Sequence, residues 1–191
     1  MKRTRLLLPL LLSLSVVACA EHSNDSVTAA AETTSTVGRT VKEATDKARK
    51  ELIEGNISIN GKGAAKAEIT PDGKFLIGGA EVTTTDAQRK DLLAYRHQVE
   101  AIAMAGIDVG VAGAQLGVSA AGEALKGIFS GNTEEIEKRV NAEAEKIKAQ
   151  AKTICDRLPA MMAAQQALAV SLPAFKPYAT MDQSDIDDCG K

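Results

Sequence analysis

The chain has 191 residues, a formal net charge of -2 and a hydrophobic fraction of 45%, but only 3% of its residues are aromatic. The near-neutral balance excludes a concentrated basic face for nucleic acid, and the apolar fraction excludes a wholly disordered chain. Alanine occupies 32 positions, so small side chains supply much of that apolar fraction, and the length allows one domain or one domain with a tether.

Residues 1–18 are typical of a bacterial lipoprotein signal peptide. Three basic residues among the first five precede an uncharged, leucine-rich stretch over residues 6–17, which is too short to span a bilayer as a stable helix. The stretch closes with Val16-Val17-Ala18-Cys19, which resembles the lipobox whose cysteine receives diacylglycerol before cleavage. We therefore expect lipidation at Cys19 and attachment to a membrane through acyl chains. Ala18-Cys19-Ala20 also fits ordinary signal cleavage, which would leave a soluble periplasmic protein.

The residues after Cys19 predict a tethered lipoprotein of the outer membrane. By resemblance to bacterial lipoprotein sorting, Ala20 in place of an aspartate favours the periplasmic face of the outer membrane over the inner membrane. Residues 19–39 are mostly small or polar and show no periodic apolar pattern, which predicts a flexible tether. A single folded domain is then expected over residues 40–191.

The domain is predicted to begin with one helix and a small sheet. Thr40-Val41-Lys42-Glu43 is a capping box, and Gly55 is placed to end the helix in a left-handed conformation. From residue 57 to residue 82 the apolar period becomes two, with a turn at Pro71-Asp72-Gly73 and a second reversal at residues 78–80. We expect a meander of two or three short antiparallel strands, which needs helices against one face.

A long helix with a stripe of small residues follows the meander. Thr85 and Gln88 form its capping box. Small residues then recur at steps of four and three, which keeps them on one helical face: Gly106, Gly110, Gly113, Gly117, Ala120, Ala124, Gly127 and Gly131. Such a stripe predicts close packing against another helix. It could also enter a membrane as a glycine zipper, although Asp108 and Gln115 on the opposite face make a lone span costly.

The next segment is the predicted partner of the stripe. From Thr133 to Leu158, aliphatic residues at helical spacing form a narrow seam in a highly charged helix, which predicts an antiparallel helical hairpin with a tight interface. Pro159 ends or kinks this helix, residues 160–171 add a further helix, and the proline-rich residues 172–178 are predicted to be non-helical. The expected fold class is α+β and mostly helical, with the meander packed on the hairpin.

Lipidation of Cys19 would leave Cys155 and Cys189 as the remaining two cysteines. Two such thiols in an oxidising envelope compartment are expected to form a disulfide bond. A redox-active pair would favour C-x-x-C spacing or cationic neighbours, and neither cysteine has that spacing. The predicted role of the Cys155–Cys189 bond is therefore structural.

No residue pattern in the sequence indicates a catalytic or metal site. His22 lies in the predicted tether, and His97 lacks a second metal ligand at helical spacing. Four aspartates near the C-terminus lack the glycine and the terminal glutamate of a calcium loop, so helix capping suits them better: Asp182, Asp185, Asp187 and Asp188. We expect no catalytic residues, no metal and no cofactor.

Three segments of the C-terminal half resemble a known family: Ile154-Cys155-Asp156-Arg157-Leu158-Pro159, Leu172-Pro173-Ala174-Phe175-Lys176-Pro177-Tyr178 and Asp187-Asp188-Cys189. They look like the uncharacterised YggN-type envelope proteins of gammaproteobacteria. The hairpin at residues 68–79 and the glycine-rich helix are also similar, so the resemblance covers residues 40–191. The resemblance implies export, a mixed architecture and a cysteine pair, and it brings neither an activity nor catalytic residues.

The sequence therefore predicts a non-enzymatic, lipid-anchored envelope protein. Its expected partners are the membrane, through N-terminal acyl chains, and another envelope protein, with no nucleic acid. The alternative is a periplasmic binding module that holds an apolar or lipid ligand in the small-residue stripe or on a face of the meander.

Overall fold

The computed structural model describes residues 25–130 and 132–191 of the chain. The predicted signal peptide and Cys19 lie outside these residues. In chain order, the elements are α1 (Asp25–Glu54), β1 (Ile57–Ile59), β2 (Ala67–Ile69), β3 (Phe75–Ile77), β4 (Ala80–Val82), α2 (Asp86–Ser130), α3 (Thr133–Cys155), α4 (Leu158–Ser171), a 3-10 helix (Pro173–Tyr178) and α5 (Gln183–Asp187). The predicted α+β class, mostly helical with a small antiparallel meander, is confirmed.

Helix α1 begins at Asp25, well before its predicted start at Thr40. The Thr40 hydroxyl donates to the carbonyl oxygen of Thr36 at 3.0 Å, so Thr40 lies inside the helix and does not cap it. Residues 25–39, expected to be a flexible tether, are helical, and three consecutive alanines at 29–31 favour that conformation. The helix ends before Gly55 as predicted, but Gly55 is not among the glycines with positive φ.

The four strands form a meander in the order β1-β2-β3-β4, one strand more than the upper expectation. Both predicted turns are confirmed, because Gly73 (φ 79°), Gly78 (φ 58°) and Gly79 (φ 84°) take the left-handed conformation that glycine accommodates without strain. The register places four apolar residues side by side across the sheet: Ile57, Ile69, Phe75 and Val82. This row faces the core.

The core lies between the sheet, the first four turns of α2, helix α4 and the 3-10 helix. Four of the five aromatic side chains meet in it: Phe75, Tyr95, Phe175 and Tyr178. Their ring centroids lie 5.2–6.1 Å apart, at the tilted or edge-on angles that aromatic pairs prefer. Residues 173–178, predicted to be non-helical, form a 3-10 helix, whose short length tolerates prolines that an α-helix interior would not. A chain poor in aromatic residues thus concentrates nearly all of them at one end of the molecule.

Helix α2 has 45 residues and extends far beyond this core. Residue Val99 is the last α2 residue packed on the core cluster. We call the sheet, α4, α5, the 3-10 helix and residues 86–99 of α2 the head. Helices α1 and α3 lie antiparallel to α2 along the remaining length, residues 100–130, and with it form the stalk. The predicted antiparallel α2–α3 hairpin is confirmed: Arg139 of α3 pairs with Glu123 of α2 at 3.3 Å.

Helix α3 ends at Cys155, earlier than its predicted end at Leu158. Two residues follow, and α4 begins at Leu158 with Pro159 in its first turn. Proline is accepted there because first-turn amides have no partner within the helix. The predicted break at Pro159 is confirmed, because this proline lies in the first turn of a separate helix.

Candidate functional site

The predicted packing stripe lies open on the surface of the stalk. Gly106, Gly110, Gly113 and Gly117 are all exposed. A Cβ atom placed on any of the four would have no heavy atom within 4 Å apart from the adjacent helix backbone. The prediction that α3 packs tightly on this stripe is therefore wrong for these four glycines.

The other two faces of α2 hold the neighbouring helices. Helix α1 covers the face opposite the stripe, where Arg49 of α1 forms an ion pair with Asp108 and also lies 3.7 Å from the sulfur of Met104. Helix α3 covers a second face, which includes Glu123. At 100° per residue, Asp108 and Glu123 are about 60° apart around α2, and the four exposed glycines lie on the other side of the helix. Both covered faces carry an ion pair between distant residues, which helical periodicity does not reveal.

Gly127 is the one stripe glycine of the described residues against which α3 packs closely. A Cβ atom there would lie 2.7 Å from Cδ1 of Ile136. Gly127 thus allows α2 and α3 to approach closely, as predicted for the stripe, but only near the connection between the two helices. Gly131 lies outside the described residues.

The open face of α2 carries no charge. Between residues 101 and 124 the charged residues are Asp108 and Glu123, and each pairs with an arginine of a neighbouring helix. Among the described residues, α2 is the one helix whose length and composition would allow it to cross a membrane, and none of its 18-residue apolar stretch is buried in the fold. This uncharged face of α2 therefore stays exposed even though α1 and α3 pack on the other faces of the helix.

A groove separates residues 37–49 of α1 from α2. It has a volume of about 510 Å³ and apolar walls formed by Val37, Val41, Val111, Ala114 and Val118. The charged residues at its edge are paired with each other: Lys42 with Asp46 at 2.6 Å, and Arg49 with Asp108. The groove is thus mainly apolar and electrically neutral, and the eight residues 111–118 of its α2 wall span about 12 Å.

Arg96 joins α1, the sheet and α2. Arg96 is buried, with 3% of its surface exposed. The guanidinium donates to the carbonyl oxygens of Ile69 in β2 at 2.8 Å and of Leu52 and Ile53 in the last turn of α1 at 3.0 Å each. Its Nε pairs with Glu100 at 2.7 Å. Arg96 thus binds the C-terminal carbonyls of α1, where a positive charge is also favoured by the helix dipole.

The sequence did not single out Arg96, because an arginine on a helix is ordinarily exposed. Its position in the sequence could have indicated that it is buried. Arg96 lies four residues after Leu92 and three before Val99, on the face of α2 that packs on the core and where an apolar residue is expected.

The predicted Cys155–Cys189 disulfide bond is confirmed, with Cα atoms 5.6 Å apart and a sequence separation of 34. It joins the end of α3 to the C-terminal tail. Gln165 of α4 holds the same tail through two hydrogen bonds to the backbone of Met181, at 2.9 and 3.2 Å. The disulfide bond thus fixes the tail to the end of α3, as predicted, and Gln165 fixes it to α4.

The remaining candidate groups have structural positions. His97 is exposed on α2, and His22 lies outside the described residues. Asp182 and Asp185 form a capping box at the start of α5, as predicted, and the hydrogen bond from Ser184 lowers the pKa of Asp182. Within residues 25–130 and 132–191, no group of three or more His, Cys, Asp and Glu residues is arranged to hold a metal ion.

Comparison of the chain with protein-family models, with curated proteins and with solved structures finds no match. The resemblance to the YggN-type family stays a prediction.

Proposed function

We propose that this chain is a lipid-anchored envelope protein without enzymatic activity, which works by binding another envelope protein through its stalk. Acyl chains on Cys19 attach it to the periplasmic face of the outer membrane. The lipobox-like sequence and the hydrophobic segment before it support the anchor. Three polar side chains form structural hydrogen bonds: Arg96 to Ile69, Gln165 to Met181, and Asp91, which accepts from Ser171 at 2.7 Å.

The exposed, uncharged face of α2 is the observation that carries the binding role. Its glycines lack Cβ atoms, so the backbone of a partner helix can approach more closely than ordinary side chains permit. Its lack of charge disfavours a charged partner segment, since a charge buried there would have no counterion. The fitting partner is therefore an uncharged helix with small residues of its own.

Site-specific photocrosslinking in the cells that produce the protein tests the binding role. A benzophenone amino acid is placed at Gly113 on the open face and, as the matched control, at Gln150 on the exposed side of α3. We expect a discrete protein adduct from position 113 alone, with the crosslink mapping to an uncharged helix of the partner. Equal adducts from both positions, or crosslinks to lipid only, would contradict the proposal.

The anchor is tested separately by the intact mass of the mature protein. We expect a chain that begins at Cys19 and carries the mass of its acyl chains, and we expect the Cys19→Ala variant to lose that added mass. A mature chain without an acyl group would contradict the anchor while leaving the crosslinking result to stand alone.

The α1–α2 groove favours a second candidate function, in which the protein binds an apolar ligand. Its volume lies in the range of about 300–1,000 Å³ typical of small-molecule sites, and its walls are aliphatic. The two locations expected from the sequence suit a ligand less well, because the stripe is an open helix surface and the apolar face of the meander is filled by the core. Native mass spectrometry of the Cys19→Ala protein discriminates: a co-purifying lipid lost on Val111→Asp substitution favours this function.

A further inference from the structure

The three stalk helices give the molecule a direction. Arg96 contacts Leu52 and Ile53 at one end of α1, and further along α2 Asp108 pairs with Arg49, so α1 runs back along α2 toward residue 130. From Arg49 to Asp25 the helix rises about 36 Å, and from Asp108 to Ser130 α2 rises about 33 Å. Asp25 therefore lies level with the end of the stalk where α2 stops at Ser130 and α3 begins at Thr133. We call this end the tip.

The predicted anchor lies close to the tip in the chain. Cys19 precedes Asp25 by six positions, which span at most about 20 Å even when fully extended. The head lies at the other end, because α2 rises about 46 Å between Val99 and Ser130. The lipid attachment therefore lies nearer the tip than the head, because a reach of about 20 Å is less than half of the stalk's rise of about 46 Å.

We infer that the tip faces the membrane and that the stalk holds the head away from the lipid surface, with the open face of α2 running between them. This inference rests on the proposed lipid anchorage at Cys19.

The composition of the open face disfavours a stalk that lies flat on the bilayer. Helices that bind in the interface combine large apolar side chains with lysine and arginine beside them. The open face presents glycines, which bury no side-chain area, and residues 101–125 contain no lysine or arginine. An interfacial helix therefore adds little to the attachment through the acyl chains, and the stalk stands free for lateral contact with a partner helix.

Single tryptophan probes test this orientation, because the native chain contains no tryptophan. Asn132→Trp places the probe at the tip, and Asn60→Trp places it at the head; both positions are exposed. The full-length acylated protein is reconstituted in vesicles of phosphatidylethanolamine and phosphatidylglycerol that carry a dansyl-labelled lipid as energy acceptor. Tryptophan-to-dansyl transfer becomes negligible over distances shorter than the stalk. We expect clear transfer from the tip probe and its loss at the head probe.

Three results separate the inference from the anchorage. Transfer that is confined to the tip probe, and that Cys19→Ala abolishes, supports the orientation. Vesicle flotation with equal transfer from both probes, or stronger transfer from the head, overturns the orientation and leaves the anchorage intact. If the full-length protein does not float with the vesicles, the anchorage is wrong, and the orientation with it. Unchanged urea midpoints of both tryptophan variants establish that each is folded.

Discussion

Replacing Arg96 with methionine tests the junction between α1, the sheet and α2. Methionine retains an apolar stem of similar length, so the change removes chiefly the guanidinium. The carbonyl oxygen of Ile69, a residue with no exposed surface, then loses a charged donor at 2.8 Å, at a cost of about 1–3 kcal/mol. The two bonds to Leu52 and Ile53 add about 0.5–1 kcal/mol each, since water reaches that end of α1.

The expected loss in the free energy of unfolding is about 2–5 kcal/mol. Glu100 contributes little to this loss, because its side chain is 25% exposed and water solvates the carboxylate once the arginine is gone. In urea denaturation followed by circular dichroism, a slope of about 2 kcal/mol per molar corresponds to a midpoint lowered by roughly 1–2.5 M. Arg96→Lys retains the charge without the fork of donors, so an intermediate loss is expected.

The matched control is Lys90→Met, an exposed lysine on the same helix, for which we expect a change within about 0.5 kcal/mol. A loss for Arg96→Met of less than about 1 kcal/mol beyond this control would refute the assigned role. Hydrogen exchange locates the effect: the amides of the last turn of α1 should lose protection first, since Arg96 binds the carbonyls there.

Three further measurements test the stalk, the disulfide bond and the core. Gly113→Ala adds a methyl group in open space and should stabilise the protein by about 0.5–1 kcal/mol. In Gly127→Ala the added methyl group would lie 2.7 Å from Ile136, so this change should destabilise the protein. Equal shifts of the two variants in urea unfolding would contradict the packing of α3 on Gly127. Replacing Cys155 and Cys189 together with serine should lower the unfolding free energy by about 3.5–4 kcal/mol, and a loss below about 1 kcal/mol would count against the bond as a main source of stability. Burial raises the pKa of Tyr95 above its ordinary value of about 10, so the unfolded chain loses this proton first and stability should fall as pH rises above about 10. Tyr95→Phe should flatten that part of the stability profile, and an unchanged slope would exclude Tyr95 as its cause.

Local patterns predicted the elements best where the deciding residues are neighbours in the chain. The capping box of Thr85 and Gln88 forms with both hydrogen bonds, at 2.9 and 3.2 Å. Gly73, Gly78 and Gly79 make the turns that their dipeptides favour. The start of α1 was missed because Thr40-Val41-Lys42-Glu43 matches a capping box as a sequence, although the helix passes through it. A cap pattern shows where a helix can begin and does not prevent it from beginning earlier.

The sequence by itself determined the helical and strand periods, the turns, the cysteine pair and the grouping of Gly106, Gly110, Gly113 and Gly117 on one face of α2. Only the tertiary structure decided that this face stays open. Periodicity specifies which residues share a face, but the face that a neighbour covers depends on contacts between distant residues, such as Arg49 with Asp108. The same holds for Arg96, whose burial is possible only because carbonyls from β2 and α1 converge on it in the folded chain.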